Sequence, residues 1–313
     1  MQRNDTAPSV SLANLVRRDC LLRAIRSFFQ AAGYLEVETP VRIPAPAPEA
    51  QIDCPASEGA WLRASPELQM KRLAAAGAER LFQLGPCFRR GERGRRHNPE
   101  FTLLEWYRTG AGSEAVLDEC RSLVRHVVRE VAGGTRFVYQ GTPVEVGGDW
   151  ERLSISEAFA RWAGWDPVLD WDADRFDADL VGRVEPRLPR DRPCVLEDYP
   201  APAASLARLR PGDPRVAERW ELYLGGLELA NAYAELTDGA VQRGRFRAAN
   251  AERQAAGRDV YPLDESFLDD LAAGRFPPCG GIALGVDRLA MLLCDAASID
   301  EVRCFCPPIG GLW

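Results

Sequence analysis

Apolar residues recur at helical spacing from Ser11 to Ala32. Leu12, Leu15, Val16, Leu22, Ile25, Phe28 and Phe29 form the repeat, and Gly33 follows as a stop signal. The same period returns from Glu114 to Ala132, with Val116, Leu117, Cys120, Leu123, Val124, Val127 and Val128 on one side. Shorter helices are predicted over 68–76, 155–162 and 241–256, the last rich in arginine and alanine and read as a surface helix. Alternating or continuous apolar runs predict strands at 34–39, 81–84, 101–107 and 194–196. Hairpins are expected over 137–146 and around Gly225-Gly226. The proline-rich stretch 42–55 reads as loop, and 166–192 as a solvated acidic insertion. Its aspartates, Asp170, Asp172, Asp174, Asp177 and Asp179, lack the glycine and glutamate spacing of a calcium-binding loop.

Composition narrows the function classes. The chain has 313 residues, a formal net charge of −7, nine cysteines and two histidines. No apolar run of about 18 residues exists, so no membrane-spanning segment is expected. The N-terminal residues lack an apolar signal core. The cysteines form no C-x-x-C pair, which argues against a zinc site and for reduced thiols in the cytoplasm. The acidic balance argues against a large nucleic-acid footprint. His126, alone on its predicted helix, reads as structural.

Two stretches carry candidate chemistry. The predicted strands around 81–107 are joined by a loop dense in arginine and glycine, Arg89 to Arg96. A guanidinium fork on such a loop matches two phosphate oxygens. Further on, Glu221 and Glu228 flank the Gly225-Gly226 turn, one carboxylate on each strand. Two such groups can hold Mg²⁺ while the metal also contacts ATP phosphates. Asn231, Tyr233 and Glu235 then share one strand face. An amide, a ring and a carboxylate in one row suit a ligand ammonium group.

These stretches resemble the three motifs of the class II aminoacyl-tRNA synthetases in their lysine-type form. The helix of 11–32, the strand after it and Pro40 resemble motif 1, the dimer interface of that family. Phe88 to Tyr107 resembles motif 2, and Gly280 to Leu292, with Gly285-Val286-Asp287-Arg288, resembles motif 3. The resemblance implies an α+β fold: one class II catalytic domain over 1–313, a mixed, mostly antiparallel sheet flanked by helices, with a loop-rich insertion around 147–192. It implies that Arg89 contacts the ATP α-phosphate and the amino-acid carboxylate, that Arg288 reaches the γ-phosphate, and that both serve catalysis. Glu92, Asn98, Phe101, Glu228, Leu229 and Gly285 would join them around ATP, with Phe101 under the adenine. Ser65, Pro66, Glu67, Glu105, Tyr107, Asn231, Tyr233, Glu235 and Ala283 would line the amino-acid site, as two separate acidic ends for a diamine. Ser65 and Glu67 also read as caps of the helix that follows them. One departure concerns motif 2, which usually reads Phe-Arg-x-Glu. Here the order is Phe88-Arg89-Arg90-Gly91-Glu92, so the acid has moved one place.

Motif 1 begins near residue 11, which leaves no room for the anticodon-binding barrel of lysyl-tRNA synthetases. The sequence His97-Asn98-Pro99-Glu100-Phe101-Thr102-Leu103-Leu104-Glu105-Trp106-Tyr107 closely resembles the elongation factor P–lysine ligase family. That resemblance implies a homodimer that activates lysine or (R)-β-lysine with ATP and Mg²⁺, then transfers it to a lysine of elongation factor P. The arginines around motif 2 are the expected docking surface for that acidic protein. Ala283 replaces the usual glycine of lysyl-tRNA synthetases, and its methyl group would crowd the substrate backbone. Two other readings stay open: a stand-alone enzyme that aminoacylates tRNA, and a non-catalytic paralogue that senses lysine.

Overall fold

Strand parity organises the molecule. In this computed structural model, which describes residues 10–307, a nine-stranded sheet separates an apolar core from a polar cavity. The N-terminal stretch read above for a signal core, and residues 308–313, lie outside the described residues. The labelled strands are β1 (Leu35–Glu36), β2 (Arg80–Phe88), β3 (Glu100–Thr109), β4 (Glu151–Ser154), β5 (Cys194–Pro200), β6 (Asp213–Leu224), β7 (Leu227–Ala234) and β8 (Cys279–Gly285). Their order across the sheet is β1-β2-β3-β8-β7-β6-β5-β4, and Leu209–Arg210 also pairs with β6. Only the outer pairs β1–β2 and β4–β5 are parallel. The mixed, mostly antiparallel α+β architecture is therefore as expected.

The helices are α1 (Leu12–Ala31), α2 (Glu67–Ala75), α3 (Ser113–Ala132), α4 (Ile155–Trp162), α5 (Ala173–Asp179), α6 (Gly239–Ala255), α7 (Glu265–Ala272) and α8 (Val286–Leu293). Ser11 caps α1 by accepting from Asn14 N at 3.1 Å. Gly33 follows it at φ +73°, a conformation that ends a helix at little cost to glycine. α1, α3 and α8 pack their apolar stripes on one sheet face. Leu104 and Trp106 of β3, Leu222 of β6, Ala230 and Ala232 of β7, and Ile282 and Leu284 of β8 meet them there. Phe29 stacks on Phe82 at 4.6 Å and meets Trp106 edge-on at 5.2 Å. His126 stands beside Ser27 and the Phe28 ring between α1 and α3, in keeping with a structural role.

Several expectations need correction. The strand over 34–39 shrinks to Leu35–Glu36, and the loop over 42–55 contains a short strand, Arg42–Ile43, paired with Ala60–Leu62. The acidic insertion is not a solvated loop. It carries α5, and Phe176 stacks on Phe159 at 5.0 Å while Val184 and Leu188 join the same core. Asp172 caps α5, and Asp179 accepts from Trp165 Nε1 at 2.8 Å. Asp172 and Asp179 thus serve local structure around an apolar cluster. Nor is α6 wholly a surface helix, because Phe246, Gln242 and Arg253 are buried. The segment after α6 also forms α7, which the sequence reading left unassigned.

Candidate active site

The sheet face opposite the core bears the candidate residues. Pairing aligns Glu105, Ala283 and Asn231 in one row across β3, β8 and β7, and Tyr107, Gly281 and Tyr233 in the next. Glu221 of β6 lies opposite Asn231, and Arg219 opposite Tyr233. Because side chains alternate, each strand sends its charged set to this face and its apolar set to the core. The face forms the floor of a cavity of about 370 Å³. Every residue assigned above to ATP, amino acid or metal lines it except Pro66, which is buried at the start of α2.

One end of the cavity is acidic. Glu105 is 1% exposed, accepts from Ser65 Oγ at 2.5 Å and from Tyr107 OH at 3.0 Å, and is pushed up to about 8 by burial and by the Glu67 charge. Ser65 Oγ also accepts from Glu67 N at 3.0 Å, so capping and site roles coexist. The expected two acidic ends are a single cluster. Lys71 Nζ lies 2.5 Å from Glu67 Oε1 and 2.6 Å from Glu235 Oε2, which brings both carboxylates to one ammonium. Burial pushes Glu235 up, and Lys71 opposes that. Gly281 permits the approach: a methyl group there would overlap Glu235 Oε1 and stand 2.5 Å from Tyr107 Cε1. The Asn231 Oδ1 atom is buried and without a hydrogen-bond partner.

The other end is cationic. Arg89 sits over the Phe101 ring at 5.1 Å, and its guanidinium is 3.7 Å from Glu92. The displaced acid of the arginine loop therefore still faces Arg89. Gly91, at φ +82°, takes the turn between them. Arg288 donates to the Glu228 carbonyl at 2.7 Å and lies 2.7 Å from His97 Nε2. Burial first, and then the Arg288 charge, lower the His97 pKa, so its neutral ring can accept from Arg288. Asp287, 2% exposed, pairs with Arg18 of α1 at 2.6 Å and accepts from Thr102 N at 2.8 Å. It thereby ties α8 to α1 and β3. Asn98 donates to the Glu100 carbonyl at 2.6 Å, and its buried Oδ1 has no partner, which leaves an acceptor at this end.

Between the ends, Glu221 and Glu228 bring two carboxylates together across the turn, and Glu221 is the one whose proton affinity rises. Burial and the Glu228 charge push Glu221 up, against Arg219, which donates to it at 2.6 Å. Glu185, from the insertion, feels both carboxylates and is also pushed up, chiefly by burial. Such mutual repulsion is what a bound cation relieves. Among the described residues no group of three or more such side chains forms a complete metal site. Mg²⁺ that also contacts phosphates needs only one or two carboxylates. Glu221 and Glu228 fit that requirement.

Sequence reasoning did not find Lys71, Glu49, His97 as the partner of Arg288, Arg219 or Glu185 at this site. The one local signal for Lys71 was its position four residues after Glu67, a helix pair. Arg219 pairs with Glu221 two residues along its own strand, and its contact with the Tyr199 ring at 4.3 Å crosses to β5, which spacing does not encode.

Comparison with known proteins adds an independent finding. Residues 5–307 match the family model of the class II tRNA synthetases (D, K and N). The chain is 39% identical over 323 residues to elongation factor P–(R)-β-lysine ligase of Vibrio cholerae serotype O1, covering 97% of this chain and 98% of the relative. It is 40% identical over 318 residues to the protein of that name from Pectobacterium atrosepticum, covering 95% and 96%. The Yersinia enterocolitica protein of that name is 39% identical over 320 residues, covering 97% of each chain.

Proposed function

This chain belongs to the class II tRNA synthetase family, and on that premise we propose that it is an ATP-dependent ligase that activates a lysine, (R)-β-lysine foremost, and transfers it to a lysine side chain of elongation factor P. One observation carries the reading. Arg89 and Arg288 share a cavity with the cluster Glu67, Glu105 and Glu235, so a nucleotide and a diamine fit side by side. The substrate and acceptor follow the relatives' names.

In the first half-reaction a carboxylate oxygen of the amino acid attacks the α-phosphorus of ATP. The bond to the bridging oxygen breaks, and pyrophosphate leaves. Arg89 offsets charge on the α-phosphate and orients the attacking carboxylate. Arg288, fixed by the Glu228 carbonyl and neutral His97, is aimed at the outer phosphates. Phe101 offers a ring for the adenine, and Arg89 already covers it. The work is positioning and electrostatics, in groups held before the substrates arrive. Mg²⁺, when held by Glu221 and Glu228, supplies further positive charge to the phosphates. In the second half-reaction an acceptor amine attacks the acyl carbon, the bond to AMP breaks, and an amide forms. No protein nucleophile is required.

The cellular setting and assembly follow the same reading. All nine cysteines are free thiols, which suits a reducing cytoplasm. No helix among the described residues is long and apolar enough to cross a membrane. Leu12 and Val16, one turn apart on α1, and Leu35 of β1 are largely exposed. Such an apolar stripe suits a symmetric partner, and we assign it to a homodimer.

ATP–pyrophosphate exchange tests the reading. Exchange should require β-lysine or lysine, and should vanish in Arg89→Ala and Arg288→Ala. A wild-type protein that exchanges with no lysine isomer refutes it.

A further inference from the structure

We propose that Glu49 receives the substrate ammonium closest to the reacting carboxyl, and so helps decide which diamino acid is activated. The inference rests on the activation reading above and assigns a residue that motif spacing leaves out.

Of the carboxylates around the cavity, Glu67 and Glu235 share Lys71, and Glu105 takes donors from Ser65 and Tyr107. Glu221 takes Arg219 and Tyr223, Glu228 takes Arg288, and Glu92 faces Arg89. The Glu49 side chain lines the same cavity, yet among the described residues it makes no ion pair or hydrogen bond. It is the open anion of the site.

Its surroundings place it near the reaction centre. Burial pushes its carboxyl up. The loop that bears it is tied beside Arg89, since Arg90 N donates to the Asp53 carbonyl at 2.6 Å, and Arg89 is the foremost charged neighbour of its carboxyl. Arg89 is the group assigned to the reacting carboxylate, so Glu49 belongs at that end of the substrate.

The backbone under Glu49 is also fixed. Arg253, 0% exposed, donates to the carbonyls of Glu49 at 2.8 Å and Ile52 at 2.6 Å, and pairs with Asp53 at 2.6 Å. Tyr261 OH accepts from Cys54 N at 2.8 Å. A loop pinned this way holds a half-buried, unpaired carboxylate at the cavity wall. Removing such a group from water is unfavourable until a cation meets it. The amine that an α- or β-amino acid carries next to its carboxyl is a cation of the required kind, and its carbon position sets how well it meets Glu49.

The test compares β-lysine with ε-aminocaproate, which keeps the carboxyl and the distal amine but lacks the near one. Glu49→Gln should raise KM for β-lysine in ATP–pyrophosphate exchange by about tenfold to a hundredfold, the worth of a charge-assisted hydrogen bond. KM for ATP should stay unchanged, which also reports an intact fold. ε-Aminocaproate should bind the variant and the wild type equally in calorimetry. An unchanged KM for β-lysine, or an equal loss of affinity for both ligands, overturns the proposal. If the wild type exchanges with no lysine isomer, the activation reading fails. Calorimetric affinities of the two ligands for the two proteins still decide the role of Glu49: a loss confined to β-lysine supports it, and any other pattern overturns it.

Discussion

Lys71 Nζ lies 2.6 Å from Glu235 Oε2, with the lysine side chain 2% and the glutamate 1% exposed. Burial alone would lower the lysine pKa, but Glu235 and Glu67 more than reverse this, and the group is held above its ordinary value. The protein thus keeps an ammonium of its own in the site proposed to bind a diamine. It draws two carboxylates together and offsets part of their charge. Lys71→Met leaves both without their counter-ion, in a setting where breaking a buried pair costs about 3–5 kcal/mol. Urea unfolding should show a loss of that size. A change below about 1 kcal/mol would mean that the cluster relaxes without Lys71.

Glu105 links pH to both stability and ligand binding. Its carboxyl is raised to about 8 in the folded protein, above its ordinary value, so the folded state binds the extra proton. Its contribution to stability is therefore fully present below the ordinary carboxyl range and is lost as pH rises through about 8. The ligand-free protein should melt at lower temperature near pH 8 than near pH 5, and Glu105→Gln should flatten that slope. A bound ammonium favours the ionised form, so diamine binding near neutral pH should release protons. Calorimetry in buffers of different ionisation enthalpy reads that release directly.

Much of this was legible because alternation and helical period are local properties. The β2–β3 hairpin, the Gly225-Gly226 turn and the Asn231–Tyr233–Glu235 row all follow from spacing, and the sheet keeps them on the expected face. What spacing could not show was which charges meet across elements. Lys71 reads as an ordinary helix lysine until β7 brings Glu235 beside α2. Arg253 reads as a surface residue until the loop around Asp53 folds over it. The acidic insertion misled for the same reason. Its aspartates dominate the composition, while Phe176 and Val184 decide where it packs.

Gly281 is needed for space rather than for backbone freedom. A methyl group at this position would meet Glu235 Oε1 and the Tyr107 ring, both fixed parts of the acidic end. Gly281→Ala should raise KM for the diamine by at least about tenfold, since either group must shift, while KM for ATP changes little. Equal changes in both constants would place the disturbance in the whole sheet.

The proposed transfer to a protein amine needs a cavity that joins a nucleotide end, Arg89 and Arg288, to an acidic end for a diamine. The intact mass of elongation factor P after incubation with this protein, ATP and (R)-β-lysine tests it most directly, with tRNA assayed alongside. Elongation factor P should gain one lysyl group, abolished by Arg288→Ala, and tRNA should gain none. An unchanged elongation factor P, or lysine found on tRNA instead, would contradict it.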